Sequence, residues 1–317
     1  MITDDDIQKI VFFHYPNEKI LNILFPSKLG CDNLIYLIKF ETGKIIVLRQ
    51  PLKINSSIAS STLSFQLNSN GSMPYYPMHR VEHQAWILDL LNSHKRIKHF
   101  VPELLILNPS KNYLIESYIP GIDLDVNHEL ISFEICKELG EYLCALHSIE
   151  MQQFGYMGEH KGTGVYLSWY QMFELDFNNL VLKQPAFLDN EQYEQIKQIY
   201  LSIKTYLIEF NRSVLIHGDI AGDNVRISSS LNGHLNGIID YGDCLCGDGL
   251  YDLGRLLVFV RGEWKYIDDI AHGYKRQETK KWTKNEKKCI QFYACYFALW
   301  MEVDNVIMER LLKPIQE

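Results

Sequence analysis

Apolar and polar positions fall into short runs and alternations over the first 120 residues, and into three- and four-residue spacing over much of the remainder. Leu29 to Phe40 and Lys44 to Arg49 are rich in β-branched and aromatic residues, and Glu41-Thr42-Gly43 between them suits a hairpin turn. Arg80 to Asn92 reads as a helix, with Val81, Ala85, Leu88 and Leu91 at helical spacing. Glu103 to Leu107 and Tyr113 to Ile119 are further short strands, the second stopped by Pro120-Gly121. Beyond that point the spacing predicts helices over Glu129 to Ile149, over Glu191 to Phe210 with Asn190 as N-cap, and over Lys284 to Met301.

Strands first and helices afterwards describe an α+β chain of two lobes: a small β-rich lobe over 1–118 and a larger, mainly helical lobe over 119–317. The length of 317 residues agrees, since a domain averages about 150. Between Ile54 and Met78 lie 25 residues without a charge, read either as a surface loop or as a substrate lid.

Composition narrows the class. With 47% hydrophobic and 22% charged residues the chain is ordinary globular material. No run of 18 apolar residues exists, so no membrane association is expected, and the acidic start Met-Ile-Thr-Asp-Asp-Asp is unlike a secretory signal. Seven cysteines without a repeated spacing point to free thiols and a cytoplasmic location. A net charge of −8 argues against general nucleic-acid binding. The charge is uneven: residues 1–119 carry 12 basic and 10 acidic side chains, and residues 120–317 carry 19 and 29.

The densest chemistry lies after residue 213. Val214-Leu215-Ile216 is a short apolar strand ending in His217-Gly218-Asp219, and Asn224 follows five residues after Asp219, ahead of a second strand, Val225-Arg226-Ile227. Gly237-Ile238-Ile239 then runs into Asp240. Two carboxylates and one amide at strand ends supply the hard oxygen donors that suit Mg²⁺ together with substrate phosphates. A single loop aspartate is ordinarily a turn or cap residue. No histidine and cysteine cluster has zinc spacing; Cys244 and Cys246 stand without a second pair and read as packing thiols.

The string His217-Gly218-Asp219-x4-Asn224, followed by Ile239-Asp240, Gly247-Asp248 and Asp252-Leu253, resembles the catalytic core of the aminoglycoside phosphotransferase and choline kinase superfamily, and is closest in flavour to hygromycin B phosphotransferase-like enzymes. The superfamily has a two-lobed, protein-kinase-like fold. The resemblance implies a catalytic base at Asp219, Mg²⁺ ligands at Asn224 and Asp240, and structural support from His217 and Asp252. Asp252 also reads as a helix N-cap. In the first lobe the resemblance implies a phosphate clamp at Arg49, with Glu82 on the next helix as its partner. Lys44 lies an odd five residues earlier on the strand, which puts it on the opposite face. Gly30-x-x-Asn33-x-x-Tyr36 resembles the family's phosphate-covering loop and reads equally as a plain hairpin turn. Glu116 and Tyr118 fall in the stretch that resembles the hinge, whose main chain pairs with the base of ATP or GTP.

Only 12 residues separate Asp240 from Asp252, too few for a protein kinase's activation segment, so a small-molecule acceptor is expected. A cationic acceptor, with an aminoglycoside first, would be met by Asp223, Asp243, Asp248 and Glu302, each of which also reads as a solvated acid. Phe292, Tyr296 and Trp300 share a helical face that fits an aromatic cage for a quaternary ammonium or, equally, core packing. The alternatives are a metabolic kinase acting on choline, homoserine or a methylthiosugar, and a nucleotide-binding pseudokinase. Either a monomer or a homodimer is expected.

Overall fold

In a computed structural model the described residues are 3–25, 33–51, 81–125, 128–157, 160–174, 187–230, 233–275 and 281–315. Gly30 to Asp32, expected in a phosphate-covering loop or hairpin turn, and the uncharged stretch 54–78 lie outside them. The chain divides into two compact units: Met1–Ser93 with Pro102–Tyr118, and His94–Val101 with Ile119–Glu317. Residues 94–101, expected in the first lobe, therefore belong to the second unit. They follow the helix that ends at Ser93, and Lys98–Phe100 forms a single 3-10 turn.

Among its described residues the first unit is a five-stranded antiparallel sheet with two α-helices. Its strands are β1 (Ile20–Leu24), β2 (Asn33–Phe40), β3 (Ile45–Pro51), β4 (Leu104–Asn108) and β5 (Tyr113–Ser117), in the order β1-β2-β3-β5-β4. Alternation sends Tyr36, Ile38, Phe40, Ile46, Leu48, Tyr113 and Ile115 into one core. Helix α1 (Asp4–His14) covers that core with Ile7 and Val11. The pattern had not indicated α1. Its start is a capping box in which Thr3 and Asp6 satisfy each other's backbone N–H groups, with three acidic residues in the first turn complementing the helix dipole. Helix α2 (Val81–Ser93) buries Val81, Ala85, Leu88 and Leu91, the spacing expected, and adds Gln84.

The second unit holds six helices among its described residues: α3 (Phe133–Leu146), α4 (Asn190–Glu209), α5 (Leu250–Phe259), α6 (Trp264–Tyr274), α7 (Lys284–Met301) and α8 (Asn305–Leu311). Helix α3 starts later than expected because Ser132, not a residue near Glu129, accepts the N-terminal N–H of Ile135. The cap of α4 is Asp189 rather than Asn190, reciprocated by Gln192. Two small sheets complete the unit. One has the order β11 (Leu235–Ile238), β10 (Val225–Ile227), β6 (Ile122–Asp123); the other runs β8 (Gly164–Tyr166), β7 (Phe154–Met157), β12 (Leu245–Gly247), β9 (Val214–Ile216).

Helices α5 and α7 pack closely because Gly254 has no side chain: a Cβ there would lie 2.4 Å from the Cβ of Tyr293. Phe173 contacts Phe292, Tyr293 and Tyr296, and Trp169 donates its indole N–H to the Tyr293 hydroxyl at 2.8 Å. Phe292 and Tyr296 are thus core residues, whereas Trp300 is 56% exposed. Among the described residues no helix is long and apolar enough to cross a membrane.

Candidate active site

The second unit gathers a polar loop between β9 and β10. Strand β9 is buried throughout and delivers His217, Gly218 and Asp219 at its end. Gly218 takes φ of +85°, and a Cβ there would lie 2.2 Å from the carbonyl oxygen of Asp243, so the turn requires glycine. The fully buried carboxylate of Asp252, on α5, accepts the backbone N–H of His217 at 2.9 Å on one oxygen and that of Gly218 at 2.9 Å on the other. His147, from the end of α3, reaches the same carboxylate through Nε2 at 3.0 Å. Asp252 lies inside α5, whose N-cap is Gly249, so its reading as a cap does not hold.

His217 is spent on the backbone. Its Nε2 donates to the carbonyl of Ile239 at 3.1 Å, and its Nδ1 accepts the N–H of Asp219 at 3.3 Å. Ile239 in turn donates its N–H to the carbonyl of Asn224 at 3.0 Å. Both backbone groups of Ile239 are thereby fixed to the loop, and the next residue is Asp240, held in the left-handed region at φ of +65°. The backbone thus links Asp219, Asn224 and Asp240 through one short relay.

The side chains of Asp219 and Asn224 meet directly. Asn224 Nδ2 donates to the Asp219 carbonyl at 2.8 Å and to its Oδ2 at 3.2 Å. With the amide nitrogen committed in this way, Asn224 Oδ1 is the atom left to face a cation. Asp219 Oδ1 accepts from Arg255 Nε of α5 at 3.1 Å, and the guanidinium Nη2 forms an ion pair with the same oxygen at 3.0 Å. The Asp219 side chain remains 40% exposed, so a lone pair can reach an incoming hydroxyl. Arg255 had no place in the sequence reading. Its one signal is that it lies three residues after Asp252, on the same face of the helix.

The acids expected to meet a cationic acceptor separate into two groups. Asp223 is exposed as a residue; partial desolvation of its carboxyl and the neighbouring Asp219 charge push its pKa up. Asp243 is half-buried. Asp248 is 4% exposed and already satisfied: Oδ2 accepts from the hydroxyls of Tyr206 and Tyr293, each at 2.8 Å, and Oδ1 from the N–H of Leu250 at 3.0 Å. Its substrate role is therefore withdrawn, because a saturated, buried carboxylate has nothing to offer a ligand. Glu302 is the left-handed C-cap of α7, with φ of +50°, and is exposed. Cys244 and Cys246 are buried thiols; burial pushes Cys246 up to about 12, far from the thiolate a metal would need. Among the described residues no group of three or more His, Cys, Asp or Glu is placed to hold a metal ion.

In the first unit, Arg49 is 2% exposed and pairs with Glu116, Nε to Oε1 at 2.7 Å. The partner expected from the sequence, Glu82, is corrected. Register explains the difference: Val47 lies opposite Glu116, which places Arg49 and Glu116 diagonally on one face of β3 and β5. Gln84 of α2 donates to the other oxygen of Glu116 at 3.2 Å, and Glu82, two residues earlier, is turned about 200° around the helix. Glu116 is also corrected as a main-chain contact for a base, since it lies inside the sheet opposite both Val47 and Leu104. Tyr118 follows the end of β5 and is half-buried; Asn33 opens β2, opposite Pro51. Lys44 lies over the Tyr15 ring at 4.4 Å, away from Arg49.

A family profile described as the phosphotransferase enzyme family, APH, matches residues 30–284. No curated protein matches the chain significantly by sequence. Solved structures match it by fold. The chain is similar to a thermostable mutant of aminoglycoside phosphotransferase APH(4)-Ia in ternary complex with AMP-PNP and hygromycin B, at 15% identity, TM-score 0.62 and 96% coverage of each chain. It is similar to the GDP complex of aminoglycoside 2'-phosphotransferase-IIIa, at 16% identity, TM-score 0.59 and 96% coverage of each. A putative fructosamine-3-kinase from Thermobifida fusca YX-ER1 aligns at 14% identity and TM-score 0.60, covering 94% of this chain and 92% of that one. Identities this low carry the fold, which is the α+β, protein-kinase-like arrangement. The profile match spans well over half of the sequence, and the chain belongs to the APH phosphotransferase enzyme family.

Proposed function

We propose that this phosphotransferase moves the γ-phosphoryl group of ATP or GTP, as its Mg²⁺ complex, to a hydroxyl of a small cationic acceptor, with an aminoglycoside as first choice. The observation that carries the reading is the arrangement of Asp219, Asn224 and Asp240 on one backbone relay, with a carboxylate exposed at its centre. Asp219 accepts the proton of the attacking hydroxyl, which needs only reach and orientation, because phosphoryl transfer is chiefly positioning and charge neutralisation. Asn224 Oδ1 and the Asp240 carboxylate would hold Mg²⁺, whose chemistry is to neutralise phosphate charge. Two hard protein oxygens fit an ion that completes its shell with phosphates and water. Arg49 is the proposed phosphate contact of the first unit, held in place by Glu116, with main-chain nucleotide contacts near Asn33 and Tyr118. Asp223, Asp243 and Glu302 are the acids proposed to meet a cationic acceptor.

The second reading, a kinase of small metabolites, draws on the likeness to a putative fructosamine-3-kinase as well as on the short interval between Asp240 and Asp252. One experiment separates the two: ADP or GDP release with Mg·ATP or Mg·GTP over a panel of aminoglycosides, choline, homoserine and a fructosamine. Turnover confined to aminoglycosides supports the first reading. Turnover confined to a metabolite replaces it with the second.

A further inference from the structure

Helix α5 grips the loop at three consecutive residues. Asp252 binds the backbone of His217 and Gly218, and one turn later Arg255 binds the side chain of Asp219. We propose that Arg255 is a positioning residue for phosphoryl transfer, fixing the plane of the Asp219 carboxylate so that a lone pair faces the acceptor hydroxyl. This rests on the reading of Asp219 as the base.

The geometry supports it from both ends. Arg255 donates from Nε to Oδ1, with Nη2 paired to the same oxygen at 3.0 Å, while Asn224 Nδ2 holds Oδ2. Tethers on both oxygens stop rotation about the Cβ–Cγ bond, and Oδ2, with one donor, keeps a lone pair for the acceptor hydroxyl. Arg255 is itself fixed. Its side chain is 13% exposed, and its guanidinium lies 5.8 Å from the centre of the Phe297 ring on α7. At Gly254 helix α5 lies directly against Tyr293 of α7, so the two helices pack closely beside Arg255. The path from α7 through Arg255 to Asp219 therefore runs through packed groups, and a lysine could reproduce the charge but not the planar guanidinium contact.

The test compares Arg255→Met, which keeps the aliphatic stem over Phe297, with Arg255→Lys and Asp219→Asn. The readouts are steady-state ADP release with the acceptor found active in the panel, thermal melting, and the crystal structure of Arg255→Met. The expected result is a fall in kcat on the order of 10- to 100-fold in Arg255→Met with the nucleotide KM unchanged, and partial recovery in Arg255→Lys. The Asp219 carboxylate in the Arg255→Met crystal is expected in a changed or divided rotamer. An unchanged single rotamer, or a kcat per folded enzyme equal to wild type, overturns the proposal whatever happens to the melting temperature. If Asp219→Asn keeps full turnover, the base reading itself fails, and this outcome is distinct because it does not involve Arg255. The rotamer comparison needs no acceptor, so the proposal is tested even when the panel is silent.

Discussion

Asp248 shows how one buried carboxylate sets a pH dependence. Burial raises its pKa above the usual 3.8, against hydrogen bonds from Leu250, Tyr206 and Tyr293 that pull the other way. The folded protein thus keeps a proton that the unfolded chain has released, and the associated stability is full below the unfolded value and lost as pH rises through the folded one. Urea midpoints measured upward from pH 3.8 should fall by this component in the wild type and lack it in Asp248→Asn; parallel curves would remove the linkage. Thiols make a second residue-scale prediction. Cys136, Cys246 and Cys295 are pushed by burial to about 12, so at pH 8 a thiol reagent should leave all three unmodified until the protein unfolds. Rapid labelling of any of them in the folded state, read by mass spectrometry, would contradict their placement. At this scale spacing singles out the 217–240 group, whereas Glu82 and Asp248 do not make the contacts expected of them. Spacing reveals which residues a chain offers, but the Arg49 partner depends on strand register across 67 residues, and the fate of an acid depends on what surrounds it.

Elements were legible where the apolar repeat was long. Helices α2, α4 and α7 and strands β2, β3 and β5 follow from period alone, whereas α1 carries only Ile7 and Val11 as buried positions and exposes Phe12 and Phe13. Strands such as β6, with two residues, or β8, with three, exist only because partners lie beside them, and no period can announce them. The element that matters most is α5. Removing its Asp252 carboxylate leaves the N–H groups of His217 and Gly218 and the ring of His147 without their acceptor. At about 1 to 3 kcal/mol per unmet buried group, Asp252→Ala should lose on the order of 3 to 9 kcal/mol. At about 2 to 4 °C per kcal/mol for a unit of this size, the melting temperature should drop by roughly 6 to 36 °C. A melting temperature within a degree of wild type would mean that the loop does not depend on this helix.

For the whole molecule, the division into units changes the meaning of the charge. Residues 1–119 are slightly basic, a balance that would favour a polyanionic nucleotide, but Lys95, Arg96 and Lys98 belong to the second unit. The first unit then carries 9 basic and 10 acidic residues and the second 22 and 29, so the first is near neutral and the second remains acidic. Long-range attraction of nucleotide to the first unit is thereby weakened as an argument, and the burden falls on local contacts such as Arg49. An acidic second unit still suits a cationic acceptor. The account as a whole rests on Asp219 as the group that takes the acceptor's proton. Its most direct test is the rate of Mg·nucleotide-dependent phosphoryl transfer by Asp219→Asn, measured beside a melting curve showing that the variant is folded. A loss of about 10²- to 10⁴-fold in kcat, with nucleotide still bound, is the result predicted; turnover undiminished in the folded variant would contradict it.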